Sequence, residues 1–365
     1  MDVVSAVLRL VRGNPPTDAE LELAPPVHLA RHVVELDDGH RVGVAVAGRG
    51  VPLVVVHGFG VESLLYAQPL GRLAALGFRV VALDVAGHGD SQGVGAFPTV
   101  RDYTHLLTRA VRHLGIERAV LAGHSMGGRL VADVAARDPD RAIGVLLVDA
   151  IVGASWERMR CALRWSPPLL AAYGAAFALD VLGTVPIVAD VEQARKLGIR
   201  AGRSIELHAS RPWRVLTPGQ AILRAGSSLP ALDALREHGV YVAAIHGDRD
   251  RLVPLATSRD AARRTEGELV VVHGGSHSWL LRCPETLPAI VGELLGGRLG
   301  AARDAALRDA GLDPTSASVQ DVEQALLGPA ALVASLGRSP DAVTVPTPRR
   351  DPALRWTVHP EVAVP

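Results

Sequence analysis

The sequence contains few of the residues that mark several protein classes. Its 365 residues include 2 cysteines, 4 Phe, 5 Trp and 4 Tyr, and 38 basic side chains balance 38 acidic ones. A formal charge of zero and scarce aromatic residues exclude the basic surface and stacking platforms of a nucleic-acid binder. Cys161 and Cys283 are too few for a disulfide framework and too far apart for a zinc knuckle or a redox pair. We therefore expect no nucleic-acid partner, no metal site and a reducing compartment.

Long apolar runs are also missing. No stretch reaches the roughly 18 uninterrupted apolar residues of a membrane-spanning helix. The chain begins with Met1-Asp2 rather than with the basic segment of a secretory signal. Residues 1–12 have the pattern of a short amphipathic helix, which we expect to pack on the domain or fray. The sequence thus predicts a cytoplasmic protein with little membrane contact.

Short apolar runs followed by turn residues predict a parallel sheet. They lie at 53–58, 79–84, 119–125, 144–150, 240–248 and 269–275. Runs that are apolar on both faces fit parallel strands covered by helices, and the segments between them have helical spacing. Ahead of them, residues 31–46 predict an antiparallel hairpin, because Asp-Gly favours a tight turn. We expect an α/β fold with a doubly wound, mostly parallel sheet and an antiparallel N-terminal hairpin.

The strand pattern stops between 153 and 236, where helical segments are separated by prolines and glycines. This segment is predicted to form a helical cap inserted into the core. It carries five aromatic residues, which either line an apolar cavity or only pack the cap on the core: Trp156, Trp165, Tyr173, Phe177 and Trp213.

The remaining chain divides around that insertion. Residues 1–30 are expected to form an N-terminal extension, and residues 31–152 with 237–296 the α/β core. Residues 297–365 have weak helical stretches and then six prolines from Pro340 onward. We expect them to form a partly disordered C-terminal extension outside the core.

The central motif is GHSMG at 123–127, which follows a predicted strand and begins a predicted helix. A nucleophile elbow holds its serine in a sharp, strained turn, so the positions two residues away must be almost free of side chain. Gly123 and Gly127 meet this requirement. Ser125 would lie beside the first turn of the helix, where free N–H groups stabilise negative charge.

A serine hydroxyl needs a base and a carboxylate to act as a nucleophile at neutral pH. His277 follows the predicted strand at 269–275, and Asp248 and Asp250 follow the one at 240–248. Asp149, at the end of the strand after the elbow helix, is an alternative acid. His273 is an alternative base, although strand alternation points it away from the site.

Residues 30–296 resemble the α/β-hydrolase fold superfamily. The resemblance is carried by four features in order: VHGF at 56–59, DVAGHGDS at 84–91, the elbow, and the acid and base loops. The sequence departs from the family at Ala86, where a proline is common. That difference affects the stiffness of the loop more than the chemistry.

The resemblance implies roles for five residues. Ser125 is the nucleophile, His277 the base and Asp250 the acid, in the chain order described for these hydrolases. The family pattern places the acid three residues after a strand-ending glycine, which here favours Asp250. The backbone N–H groups of Phe59 and Met126 would form the oxyanion hole.

These features predict a cofactor-independent serine hydrolase. It would cleave a carboxylic ester, or a related acyl compound, with an apolar acyl or alcohol group through an acyl-enzyme on Ser125. A serine at the elbow disfavours dehalogenases and epoxide hydrolases, which use aspartate. A thioesterase, a carbon–carbon bond hydrolase, an acyltransferase and a cofactor-free haloperoxidase stay open, as does a ligand-binding receptor on the same fold.

Overall fold

The computed structural model describes residues 26–184 and 213–337, residue 339, and residues 342–345 and 352–360. Nearly all of the predicted N-terminal extension, with the amphipathic pattern at 1–12, lies outside the described residues. The same holds for the middle of the predicted cap.

The sheet has ten strands. They are β1 (Val27–Glu35), β2 (Arg41–Ala47), β3 (Val51–Val56), β4 (Phe78–Leu83), β5 (Ala119–His124), β6 (Ala142–Val148), β7 (Tyr241–Gly247), β8 (Glu268–Val272), β9 (Val343–Val345) and β10 (Trp356–His359). The spatial order is β10-β8-β7-β6-β5-β3-β4-β2-β1-β9. Strands β3 to β8 pair in parallel, whereas β1 and β2 form the antiparallel hairpin. The predicted fold is confirmed.

Helices cover both faces of the sheet. They are Ala67–Ala75, Val100–His113, Met126–Arg137, Gly153–Trp165, Pro167–Thr184, Trp213–Leu223, Leu229–Glu237, Leu255–Thr265, Trp279–Arg282, Thr286–Leu295, Arg298–Asp309, Val319–Leu326 and Leu332–Ser335, with 3-10 turns at Ser63–Tyr66 and Pro139–Arg141. Two apolar cores result, one on each face of the sheet. The central strands are buried on both sides, which is why they appear in the sequence as continuous apolar runs.

The described helices of the predicted cap are Gly153–Trp165, Pro167–Thr184 and Trp213–Leu223, which lie between β6 and β7 in the chain. The last predicted cap helix, Leu229–Glu237, differs from expectation. It packs against Met126–Arg137 and Leu255–Thr265 on the core, because its apolar side chains recur every three residues on one face, where Leu232 and Leu235 are fully buried. No helix among the described residues is both long and apolar enough to cross a membrane.

The C-terminal extension also differs from the expectation of a segment outside the core. In its described parts, β9 pairs with β1 and β10 with β8, so the extension covers both edges of the sheet. Glu323 accepts hydrogen bonds from Arg79 (2.9 Å) and Arg49 (2.7 Å), and Leu299 and Leu307 are fully buried. The extension is therefore part of the packed domain where it is described.

Candidate active site

Ser125 lies at the strained elbow that its sequence motif predicts. It joins β5 to the helix Met126–Arg137 with φ 53° and ψ −114°, outside the backbone regions that serine ordinarily adopts. A Cβ at Gly123 would lie 2.3 Å from the carbonyl carbon of Gly127, and a Cβ at Gly127 would lie 2.1 Å from the carbonyl oxygen of Val56. Both positions therefore require glycine, because the turn brings backbone against backbone.

The loop after β3 packs directly against the elbow. A Cβ at Gly58 would lie 3.4 Å from the Cβ of Ser125. The N–H of Gly58 donates to Tyr66 Oη (3.3 Å), and that of Gly60 donates to His88 Nε2 (3.2 Å). These bonds hold the backbone on either side of Phe59, so the loop is fixed beside the serine.

Asp250 and His277 form a direct hydrogen bond. His277 Nδ1 donates to Asp250 Oδ2 at 2.7 Å, and the N–H groups of Leu252 and Val253 donate to Asp250 Oδ1 at 2.7 and 2.9 Å. Burial opposes the charge on Asp250, but the attraction of His277 and these bonds hold its pKa below the ordinary value. Burial likewise opposes the charge on His277, yet the carboxylate raises the pKa of its imidazole.

A second hydrogen-bond chain ties His277 to the elbow strand. His124, next to Ser125, donates from Nε2 to the carbonyl oxygen of His277 (3.0 Å) and accepts at Nδ1 from Tyr66 Oη (2.9 Å). Burial lowers the pKa of His124 to about 3, so the ring stays neutral and keeps this tautomer. The two imidazole rings lie 4.8 Å apart between centroids.

The alternative acid Asp149 does not hydrogen-bond His277. Its side chain is fully buried, its φ is 45°, and its two oxygens accept from the N–H of Gly247 (2.9 Å) and from Trp279 Nε1 (2.7 Å). Burial and the charge of Asp250 raise its pKa well above the ordinary value. Asp149 therefore joins the end of β7 to the helix that follows His277.

Asp248, which shares the loop of Asp250, and His273, the second candidate base, face each other at the surface. Asp248 Oδ2 lies 3.3 Å from His273 Nδ1, while Asp248 Oδ1 accepts from the N–H of Gly274 at 2.7 Å. His273 Nε2 also bonds Thr357 Oγ1 of β10 at 2.8 Å. Among the described residues, neither Asp248 nor His273 hydrogen-bonds Asp250 or His277, whereas Asp250 and His277 bond each other.

One cluster among the described residues has the spacing of a metal site. Single nitrogen or oxygen atoms of Asp149, His246 and Asp250 all lie within 4.8 Å of one another. His246 donates from Nε2 to the carbonyl oxygen of Val253 (2.9 Å) and bonds Ser258 Oγ through Nδ1 (2.8 Å). Because the ligand atoms are already engaged in hydrogen bonds, the cluster is better described as a buried hydrogen-bond network that includes Asp250.

The cap helix Pro167–Thr184 reaches over both loops of the site. The ring of Phe177 packs edge-to-face on Phe59, with centroids 5.8 Å apart. Asp180, one turn further, accepts a hydrogen bond from Ser278 Oγ, beside His277. Tyr173 lies on the same side of the helix, where burial and the charge of Asp250 raise its pKa. This face of the helix therefore roofs the site.

A narrow apolar pocket lies between the elbow helix and the cap. Its walls include Met126, Leu130 and Ile151 from the core, and Trp156, Ala221 and Ile222 from the cap. The cap aromatics thus have different roles: Trp156 lines this pocket, Phe177 contacts Phe59, and Trp165 is 74% exposed. The side chain of Trp213 lies outside the described residues.

Comparison with known proteins places the chain in a family. Residues 51–282 match the family model described as serine aminopeptidase, S33. A putative non-heme haloperoxidase of Mycobacterium phage D29 is 36% identical over 261 residues, which cover 70% of this chain and 92% of that protein.

Solved structures agree on the fold. A bacterial membrane phospholipase A superposes with a TM-score of 0.57 at 22% identity, covering 83% of this chain and 92% of that one. A carboxylesterase structure from the thaumarchaeon Nitrososphaera gargenis has a TM-score of 0.58 at 20% identity, covering 72% of this chain and 97% of that one. Together with the motif order and the sheet topology, the match over residues 51–282 identifies the chain as a member of the serine aminopeptidase S33 family of α/β-hydrolases.

Proposed function

We propose that this enzyme is a cofactor-independent serine hydrolase that cleaves a carboxylic ester. The observation that carries the proposal is the 2.7 Å hydrogen bond between Asp250 and His277 beside a strained serine elbow. A strained non-glycine residue is costly and persists mainly where function requires it. Membership of a hydrolase family supports the same chemistry.

The proposed reaction proceeds through an acyl-enzyme. Ser125 Oγ attacks the ester carbonyl while His277 takes its proton, and the alkoxide leaving group then receives that proton. Asp250 holds the imidazole in the tautomer with Nδ1 protonated and stabilises the imidazolium. Water, deprotonated by His277, hydrolyses the acyl-enzyme and regenerates the serine. Every proton in this sequence moves between side chains of this chain and the reactants.

The oxyanion is proposed to bind two main-chain N–H groups, those of Phe59 and Met126. Met126 is the first residue of the elbow helix, so its N–H lies where the helix dipole favours negative charge. Phe59 lies in the loop that is fixed by Tyr66 and His88. Donors fixed before the charge develops stabilise the transition state without reorganisation.

The apolar pocket supports a substrate with an apolar acyl or alcohol group. Met126, the residue after Ser125, lies in the pocket wall, so this apolar space begins beside the proposed nucleophile and takes a longer acyl chain only when its walls move apart. The charged residue at its edge, Arg129, is engaged by Asp133 and by the carbonyl oxygens of Gly226 and Ser227.

A haloperoxidase activity is the second candidate, favoured by the 36% identical phage protein. Hydrogen peroxide in place of water would convert the acyl-enzyme to a peracid and free serine, and the peracid would oxidise a halide to hypohalous acid. Both activities depend on acylation of Ser125. They differ only in the nucleophile that reaches the acyl-enzyme.

We expect a fluorophosphonate probe to label Ser125 alone, because such reagents react with a serine that a neighbouring base activates. Peptide mapping of the labelled protein identifies the site. Ser125→Ala should abolish labelling and ester hydrolysis, whereas Ser227→Ala, at an exposed serine, serves as the matched control and should retain both. Labelling of another serine, or of none in folded protein, contradicts the proposed nucleophile.

The assignment of the acid is tested by three Asp→Asn variants assayed on one ester. Asp250→Asn should lower kcat by about 10²- to 10⁴-fold, because the charge that supports the imidazolium is lost. Asp248→Asn, in the same loop, should cost less than about tenfold, and Asp149→Asn about tenfold at most through misplacement of Trp279. Near-normal kcat in Asp250→Asn with a collapse in Asp149→Asn would transfer the role to the earlier strand.

The lining of the apolar pocket predicts that Trp156 sets the preferred acyl length. Trp156→Leu enlarges the pocket and should raise kcat/KM for longer acyl chains relative to short ones by about tenfold. Phe177→Leu is the matched control, since it removes a similar ring that contacts Phe59 instead, and it should leave the ratio unchanged. A series of p-nitrophenyl esters of increasing acyl length measures both. If Trp156→Leu leaves the ratio at the wild-type value, the acyl chain does not occupy this pocket.

A further inference from the structure

Among the described residues, most of the large exposed apolar side chains lie in the cap. Seven such residues are exposed among the described residues, and five of them belong to the cap: Trp165, Leu169, Leu170, Leu179 and Leu216. Isolated exposed apolar residues are common on protein surfaces, but a concentration of them marks an interaction site.

Three of the five form one compact feature. Trp165 (74% exposed), Leu169 (44%) and Leu170 (38%) lie within six residues of one another, at the corner where the first cap helix meets the second. We call residues 165–170 the cap corner. The prolines 167 and 168 begin the second helix, so they turn the chain without adding a polar side chain.

The exposed charges on the described cap are all positive. Within 153–180 and 216–228, the exposed ionisable side chains are Arg158, Arg164 and Arg224, apart from the thiol of Cys161. The two acidic residues in these ranges are partly buried and hydrogen-bonded: Glu157 to Ser227 and Ser228, and Asp180 to Ser278. The Arg164 guanidinium carbon lies 5.3 Å from the ring centroid of Trp165, so charge and indole are adjacent.

The combination points to a lipid surface. An exposed tryptophan with leucines beside it fits the boundary between lipid headgroups and acyl chains, and Arg164, adjacent to the indole, is attracted to anionic headgroups. A second copy of the chain fits less well, because a two-fold interface through this corner would bring the arginines of both copies together.

We propose that the cap corner docks the protein on anionic lipid surfaces. Leu169 and Leu170 lie two to three turns before Phe177 and Asp180, on the same side of the second cap helix, and those two residues contact the catalytic loops. Docking through the corner therefore brings the edge of the site close to the lipid surface, where apolar esters are concentrated. The contact is peripheral and needs no spanning helix.

Vesicle flotation of the full chain tests the proposal. The wild-type protein should float with vesicles of phosphatidylcholine and phosphatidylglycerol more than with phosphatidylcholine alone, and added salt should reduce the difference. The double variant Leu169→Glu/Leu170→Glu should lower the partition coefficient by about tenfold or more, since two leucines no longer enter the lipid. Arg164→Glu should reduce binding to the anionic vesicles selectively.

Matched controls separate the corner from general surface effects. Val33→Glu, at an exposed apolar residue on β1, and Arg308→Glu, at an exposed arginine of the C-terminal extension, should bind vesicles like the wild type. Circular dichroism and thermal melting verify that each variant is folded. This test does not depend on the proposed reaction, because flotation is measured without substrate.

Three results would overturn the proposal. In the first, the wild-type protein stays in the aqueous fraction with anionic vesicles at low salt. In the second, the corner variants float as well as the wild type. In the third, the protein is a dimer in vesicle-free solution and Leu169→Glu/Leu170→Glu dissociates it. The last result would assign the corner to a protein–protein interface instead.

Discussion

The proposed active site depends on one buried hydrogen bond, between His277 Nδ1 and Asp250 Oδ2. Both groups are removed from water, so neither would hold a charge there alone. Their mutual attraction, with the two backbone N–H groups that donate to Asp250, lowers the pKa of Asp250 and raises the pKa of His277. Both shifts favour the charged pair that forms when a histidine base takes up a proton. The remaining features of the site hold the two loops that carry this pair.

Two further contacts maintain that geometry. On one side, Tyr66 and His124 connect the carbonyl oxygen of His277 to the strand that ends at Ser125. On the other, Asp149 accepts hydrogen bonds from Gly247 and Trp279, which lie close in sequence to Asp250 and His277. Neutral His124 and buried Asp149 thus form hydrogen bonds that hold the loops of Asp250 and His277 in place.

The sequence predicts the parts of the molecule that have a local signature. Gly123 and Gly127 mark the elbow because only glycine fits where the turn brings backbone against backbone. The parallel strands follow from continuous apolar runs. The roles of Trp279 and Tyr66 leave no such signature, since their partners are 130 and 58 residues away. Strands β9 and β10 are too short for a periodic pattern, which is why the sequence predicts an extension outside the core.

The surface chemistry of the cap is visible only in three dimensions. Sequence patterns detect membrane-spanning helices and leader segments, and from these patterns the sequence predicts little membrane contact. The cap corner is a different kind of feature, because it depends on which side chains of two helices remain exposed after the site is roofed.

The measurement that tests the account most directly is an NMR titration of the His277 imidazole in the wild-type protein and in Asp250→Asn. The account predicts a His277 pKa above the ordinary histidine value in the wild type. In the variant the pKa of His277 should fall, because burial then acts without the opposing carboxylate of Asp250. A His277 pKa that is the same in both proteins would contradict the claim that Asp250 supports the base.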